Sequence, residues 1–333
     1  MELTGFCGNG DLISHHVYDA AIVGGGLAGL SAAIYLGRSR RDTLLIHSGH
    51  SMAKWEQDVQ NYLGFPDGIS GNDLLTRGFA QVRRFGVEVA DDDIHALERD
   101  REGMFQLTGL AQRYVARRVL LSTGLTHVPP DIPGVKDCLG KSLFFCKDCD
   151  AYRVRNRSIV IVGRNNESAE YALSMLLFTS QVLICTNGKT PLWDTAHAGW
   201  LAEYSIPVTH RSIRSISHDD GQISAVVFDD GESLSTHAVF TTRGDVFHHD
   251  LAEQAGAELD EEGQITVDHS MRTSVPGLYA AGCVTPANCQ MIIAAGQGAT
   301  AGQAINRDLF KEDLRRHALP RVEKAKPIEA HCL

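Results

Sequence analysis

The chain has 333 residues, 43% of them hydrophobic and 22% charged, which is room for about two domains that each bury a core. Its formal charge of −10, from 41 acidic against 31 basic side chains, argues against nucleic acid as a partner, because such binding selects a basic balance or a basic stripe. No apolar run approaches the roughly 18–20 residues that span a bilayer. The segment from Met1 to His16 is polar, without the apolar stretch of a signal peptide, so the chain reads as cytoplasmic.

Residues 19–23 read as a buried strand. Gly24-Gly25-Gly26-Leu27-Ala28-Gly29 follows as a turn, then a small-residue helix through Leu36 and a second strand over residues 43–47. Strand, glycine turn, helix and strand make the first βαβ unit of a dinucleotide-binding fold. Gly24, Gly26 and Gly29 satisfy G-x-G-x-x-G in that context. Lacking Cβ atoms, they let a pyrophosphate approach the N–H groups at the helix N-terminus. About 20 residues on, where such folds place an acidic residue against a ribose, stands His47. Its ring can hydrogen-bond a ribose, or it marks an exposed strand end.

The same order recurs in the middle of the chain. Residues 158–162 read as a strand, Gly163 as a turn, residues 167–178 as an amphipathic helix and residues 181–185 as the next strand. Two stretches read as crossings between the units, Gly124 to Pro133 and Thr241 to His249. The expected class is α/β, with two Rossmann-like dinucleotide-binding subdomains of the three-layer ββα type, the second inserted into the first. Residues 1–123 and 245–333 would form a discontinuous dinucleotide-binding domain, and residues 124–244 the insert.

Eight cysteines do not make a secreted disulfide framework. Cys7, Cys138, Cys185, Cys283, Cys289 and Cys332 read as scattered, and only Cys146 and Cys149 form a close pair, in Cys-Lys-Asp-Cys-Asp. Such a pair closes a small reducible ring. The competing reading is half a zinc site, but no second C-x-x-C occurs, and Cys283 and Cys289 are poorly spaced to complete one; no metal is expected. Asp150 can give or take a proton beside the second cysteine, or serve as a turn or cap residue. Two basic groups, Arg38, Arg40 and Arg41 and then Arg153, Arg155 and Arg157, read as solvated faces or as docking for an acidic partner.

Taken together, these residues resemble the low-molecular-weight thioredoxin reductases, from about Tyr18 to Phe310. The resemblance includes Gln60-Asn61-Tyr62-Leu63-Gly64-Phe65-Pro66, Leu121-Ser122-Thr123-Gly124 and Thr273-Ser274-Val275-Pro276-Gly277-Leu278-Tyr279-Ala280-Ala281-Gly282. It implies FAD held by Gly24, Gly26, Gly29, Asn61, Thr123, Gly124, Gly282 and Gln290, a homodimer, and a second domain that rotates against the first. It also implies roles: Cys149 exchanges electrons with the flavin, Cys146 attacks the partner disulfide, and Asp150 handles the proton. The family's Gly-Asp is here Gly282-Cys283, which places Cys283 against the cofactor in that aspartate's stead.

A second departure falls on the family's NADPH fingerprint, which here reads Gly163-Arg164-Asn165-Asn166-Glu167-Ser168. Asn165 replaces a glycine of close approach, and Glu167 brings a carboxylate to where phosphate charge should lie. No basic cluster follows the next strand, which runs into Cys185-Thr186-Asn187-Gly188. These features argue against NADPH and resemble the ferredoxin-dependent flavin thioredoxin reductases and the deeply rooted thioredoxin reductases. That resemblance implies ferredoxin as donor and thioredoxin as acceptor. Two alternatives stand beside it: a dithiol oxidase that passes electrons to oxygen, and a non-enzymatic redox sensor. The tail after Ala318 reads as disordered, or as placing His331 on the flavin face; Cys332 is a third redox thiol or a free terminal cysteine.

Overall fold

The computed structural model describes residues 13–242 and 244–320, the side chains from residue 16 onward. The candidate flavin-stacking residue His331, together with Cys7 and Cys332, lies outside the described residues.

The first lobe begins with β1 (Ile13–Val23), α1 (Leu27–Arg38) and β2 (Thr43–His47). It continues through α2 (Gly71–Arg84), β3 (Glu88–Asp91), β4 (Ile94–Arg99), β5 (Phe105–Gly109) and β6 (Arg113–Leu121). The strands lie in the order β3-β2-β1-β6-β5-β4. The β3-β2-β1-β6 part is parallel, while β4 and β5 add an antiparallel edge. β1 runs six residues further toward the N-terminus than residues 19–23, because β6 pairs with it from Arg113. Its apolar run buries both faces by simple alternation. Ala20 and Ile22 meet α1, while Ala21 and Val23 meet a second core with Phe105 and Leu107.

The chain then leaves through β7 (Leu125–Val128) and builds the second lobe. This lobe runs β8 (Leu143–Phe144), α3 (Lys147–Asp150), β9 (Ile159–Val162), α4 (Asn166–Met175), β10 (Val182–Cys185), α5 (Thr195–Glu203) and β11 (Val208–Thr209). A meander of β12 (Ile213–Asp219), β13 (Gln222–Phe228) and β14 (Ser233–Ser235) precedes β15 (Ala238–Thr241). The five-stranded sheet is parallel, in the order β11-β10-β9-β15-β8. Ile159 and Ile161 face α4, and Val160 and Val162 face the meander through Ile216, Val226 and Phe228. Helices, parallel sheet and antiparallel sheet thus form three layers. α4 stops at Met175 rather than Phe178, because Phe178 and Thr179 both turn their N–H groups back to Met175 O and Thr179 Oγ1 bonds Arg157 O.

The return strand β16 (Gly244–Phe247) pairs antiparallel with β7, so the two crossings form one ribbon. α6 (Asp250–Gln254) and β17 (Leu278–Ala280) follow, and β17 extends the first sheet along β6. The long α7 (Met291–Arg315) closes the lobe against α1. Their approach is close: a Cβ on Gly298 would stand 2.0 Å from Ala28 O. Among the described residues no helix is long and apolar enough to cross a membrane.

Candidate active site

A cleft of 1390 Å³ opens between the lobes, larger than the roughly 300–1,000 Å³ that suits drug-sized ligands. Gly24, Gly26, His47, Asn61, Thr123, Gly124, Gly282, Cys283 and Gln290 line it together with Cys146, Cys149 and Asp150. Gly29 lies beneath rather than on the cleft wall, and a Cβ there would stand 2.0 Å from Gly24 O. It serves the packing of α1 on its strand.

The start of α1 is open. Gly26 is its N-cap, no side chain caps it, and its first turn carries no acidic residue. A Cβ on Gly26 would meet nothing nearer than Ser51 Oγ at 3.9 Å, so this face is free toward the cleft. Unclaimed N–H groups at a positive helix end fit a pyrophosphate. His47 is half-buried, which corrects the reading of an exposed strand end, and its ring packs 4.8 Å from that of Phe79. Burial lowers its pKa, aided by Arg83 and Lys54 and opposed by Asp91. Gly49 N–H donates to its Nδ1 at 3.1 Å, so the neutral ring carries its proton on Nε2. These features fit FAD with a histidine donor in the usual carboxylate's place.

The start of α4 is closed. Asn165 caps it, its Oδ1 accepting from Ser168 N at 3.1 Å, and Glu167 sits in the first turn. Asn166 Nδ2 donates to Asp194 Oδ2 at 3.0 Å, and Asp194 N donates back to Asn166 Oδ1 at 2.9 Å. Leu192 N–H donates to Arg164 O at 2.6 Å, so residues 192–194 are strapped across the turn.

Cys146 and Cys149 meet at the foot of the cleft, with sulfurs 2.7 Å apart, about 0.65 Å beyond a bonded pair. Cys146 is the N-cap of α3 and Cys149 lies within it. Tyr171 of α4 holds this turn from below: its Oη donates to Phe145 O at 2.5 Å and accepts from Lys147 N at 2.9 Å. The hydrogen bond to Cys146, burial and the neighbouring Asp150 hold the Cys149 thiol far above its ordinary range, against a lowering contact from Gln290. Asp150 is buried and accepts from Arg153 Nη1 at 2.9 Å. Burial pushes its pKa up to about 6 despite Arg153.

Three features escaped the sequence reading. Gln290, placed with the cofactor by resemblance, directs its amide to the cysteines. Its Nε2 lies 3.2 Å from Cys146 Sγ and 3.3 Å from Cys149 Sγ, and its Oε1 accepts from Asn61 Nδ2 at 3.0 Å. Glu56 lines the cleft beside Asp150, and burial and that neighbour raise its pKa to about 7, against Arg153. Cys283 and Cys289, read as scattered, are joined in a disulfide; only their placement between β17 and α7 signals it. The basic groups are also divided. Arg41 is tied to Asp313 and Arg153 to Asp150, so neither is a solvated face, while Arg38, Arg40, Arg155 and Arg157 are exposed.

A dinucleotide cleft with a cysteine pair at its foot defines a flavin-linked disulfide oxidoreductase, and comparison with known proteins agrees. The family model described as pyridine nucleotide-disulphide oxidoreductase matches residues 18–302. A thioredoxin reductase of Treponema pallidum (strain Nichols) is 31% identical over 302 residues, covering 86% of this chain and 95% of that protein. The crystal structure of a putative thioredoxin reductase TrxB from Bacillus anthracis has a TM-score of 0.82 at 29% identity, covering 89% of this chain and 99% of that one. That of the atypical thioredoxin reductase TRi from Desulfovibrio vulgaris Hildenborough has a TM-score of 0.51 at 32% identity, covering 89% and 99%. The chain belongs to the pyridine nucleotide-disulphide oxidoreductase family, as a flavoprotein of the thioredoxin-reductase type. Its cofactor is FAD.

Proposed function

We propose that the protein reduces thioredoxin through Cys146 and Cys149, with electrons from a donor other than a pyridine nucleotide, ferredoxin being the class that fits. One observation carries the distinction: α1 begins with free N–H groups, whereas α4 begins with its own side chains on them. Asn165 takes the N–H that a pyrophosphate would take, residues 192–194 lie across the turn, and Glu167 and Asp194 bring negative charge to it. The exposed Arg38, Arg40, Arg155 and Arg157 offer charge to an acidic donor.

Bound FAD supplies two-electron chemistry beside the pair. We assign its binding to Gly24, Gly26, His47, Asn61, Thr123, Gly124, Gly282 and Cys283, with Gly29 and Gln290 in support. On the substrate side the Cys146 thiolate attacks the partner disulfide and one partner thiolate leaves. Cys149 gives its proton to Asp150 and attacks Cys146 Sγ, which releases the partner's second thiolate and closes the Cys146–Cys149 disulfide. The partner departs with two electrons. Because Gln290 covers the pair, the second lobe must swing away to admit a protein substrate, and we place the hinge at the β7–β16 ribbon. The same family spans TM-scores of 0.51 and 0.82 against this chain without following identity, which supports such a rearrangement.

Anaerobic titration of the flavin absorbance tests the donor. No bleaching by NADPH, with thioredoxin reduced in the presence of reduced ferredoxin, is expected; bleaching by NADPH overturns the reading of α4. A second reading, the oxidation of a small dithiol by oxygen, is favoured by the pair facing the cleft rather than an outer surface. Oxygen uptake with a small dithiol, and none linked to thioredoxin, would select it.

A further inference from the structure

The Cys283–Cys289 disulfide takes no electrons in the reaction above, where Cys283 only borders the cofactor, yet both cysteines line the cleft that holds Cys146 and Cys149. We propose that Cys283–Cys289 is a second redox-active disulfide, opened by a small dithiol or reduced thioredoxin, whose state decides whether Gln290 is held on the Cys146–Cys149 pair. This extends the site described above but does not depend on which donor serves it.

Location and restraint carry the argument. The disulfide closes a ring between residues 283 and 289, and so short a loop loses little chain entropy on closure. The first half of the loop is already pinned. Gly282 N–H donates to Gln297 Oε1 at 2.8 Å, Val284 O accepts from Ile265 N at 2.8 Å, and Thr285 Oγ1 donates to Gly282 O at 2.8 Å. Val284 and Thr285 are fully buried. The second half differs. Pro286 and Asn288 are exposed, and the link to the helix is Gln290 N–H donating to Asn288 O at 2.8 Å, along with the disulfide itself. Opening the S–S bond therefore leaves the fold in place and loosens residues 286–289, which set the approach of the chain into Gln290, while Gln290 O stays bonded to Ala294 N at 2.9 Å and its Oε1 to Asn61 Nδ2 at 3.0 Å.

Gln290 is next in sequence to Cys289, and its amide reaches both reactive sulfurs. Its hydrogen bond opposes the groups that raise the Cys149 pKa. Withdrawing it leaves Cys149 more firmly protonated and the pair slower in exchange. Both Cys283 and Cys289 are half-buried rather than enclosed, so a dithiol that enters the cleft reaches them. Its thiolate attacks one sulfur to form a mixed disulfide, and its second thiol then displaces the bound cysteine. Two electrons pass to Cys283 and Cys289, which take up the two protons, and the reagent leaves as its disulfide.

The test uses the FAD-loaded protein in dithiothreitol buffers of graded potential, quenched, alkylated and mapped by peptide mass. Cys283 and Cys289 are expected to become alkylated over a window of their own, and to do so also in a C146S/C149S variant. The native-state alkylation of Cys146 and Cys149 should slow about fivefold in C283S/C289S, the worth of one ordinary hydrogen bond. Q290A, with its disulfide intact, should show the same slowing and covers the case in which the double variant does not fold. Cys283 and Cys289 staying closed in excess dithiothreitol, while Cys146 and Cys149 are fully alkylated, would make the bond structural and end the proposal. So would an unchanged alkylation rate in either variant. These readouts are thiol chemistry alone, so a failed thioredoxin assay leaves them standing, and their failure leaves the proposed reaction standing.

Discussion

Asp150 and Glu56 are two carboxyl groups drawn into one poorly solvated corner beside the cysteines, and their pKa values of about 6 and about 7 follow first from burial, then from a neighbouring carboxylate, Asp58 for Asp150 and Asp150 for Glu56, only partly offset by Arg153. A base that receives the Cys149 proton must be ionised, so thiol–disulfide exchange should fall as pH drops through about 6. D150N should lose that acid limb and exchange about a hundredfold more slowly at neutral pH, as read by stopped-flow thiol release. Glu56 speaks to stability. Its folded-state pKa lies above the ordinary 4.5, so folding favours the protonated form: the contribution is greatest below 4.5 and is lost as pH rises through about 7. E56Q should therefore gain about 1–2 kcal/mol at pH 8, after allowance for its partial exposure, and nothing at pH 4, in paired thermal unfolding curves. Asp150 was legible in the sequence because it adjoins a cysteine. Glu56 was not, because nothing in residues 51–60 indicates that the second lobe will lie against it.

The two helix N-termini form a natural comparison at the level of elements. α1 and α4 occupy equivalent places in their βαβ units, and the sequence reads both units from apolar run, glycine and the helix that follows, small-residue in the first and amphipathic in the second. What separates them is the residue at the cap: Gly26 leaves its N–H groups free, while Asn165 takes one for itself. Two substitutions in the first turn separate fold from binding. G29A should yield insoluble or colourless protein, because its Cβ would meet Gly24 O at 2.0 Å. G26A should fold, with its nearest neighbour at 3.9 Å, yet hold FAD at least about tenfold more weakly because the methyl group stands where the phosphate approaches. Soluble expression and flavin content per chain distinguish the two. Helix ends were less legible, as α4 shows, because its last turn is set by a hydrogen bond to Arg157 rather than by local propensity.

The molecule as a whole depends on α7, which joins the first lobe's sheet to the cleft and has Gln290 as its N-cap. Its far end is tied by Arg117, whose guanidinium bonds Asp19 Oδ1 and Asp313 Oδ1, each at 2.6 Å, with Arg41 also on Asp313. R117A takes the charged hydrogen bonds from Asp19 and Asp313, leaving Arg41 2.6 Å from Asp313 and 3.9 Å from Asp19, and should cost about 1.5–3 kcal/mol in urea unfolding, with amide exchange in α7 rising first. By itself the sequence determined the α/β class, the two βαβ units, the nearness of Cys146 to Cys149 and the departure of residues 163–168 from the glycine fingerprint. Each of these is written in neighbouring residues, where periodicity, absent side chains and short spacing act within one turn or strand. Only the tertiary structure decided that Gln290 turns to the sulfurs, that Glu56 shares a buried corner with Asp150, that Arg41 and Arg153 are bound internally and that Cys283 meets Cys289 across the cleft loop. Those outcomes depend on distances between residues far apart in the chain, or on how a loop folds back, and no local pattern of residue types fixes them.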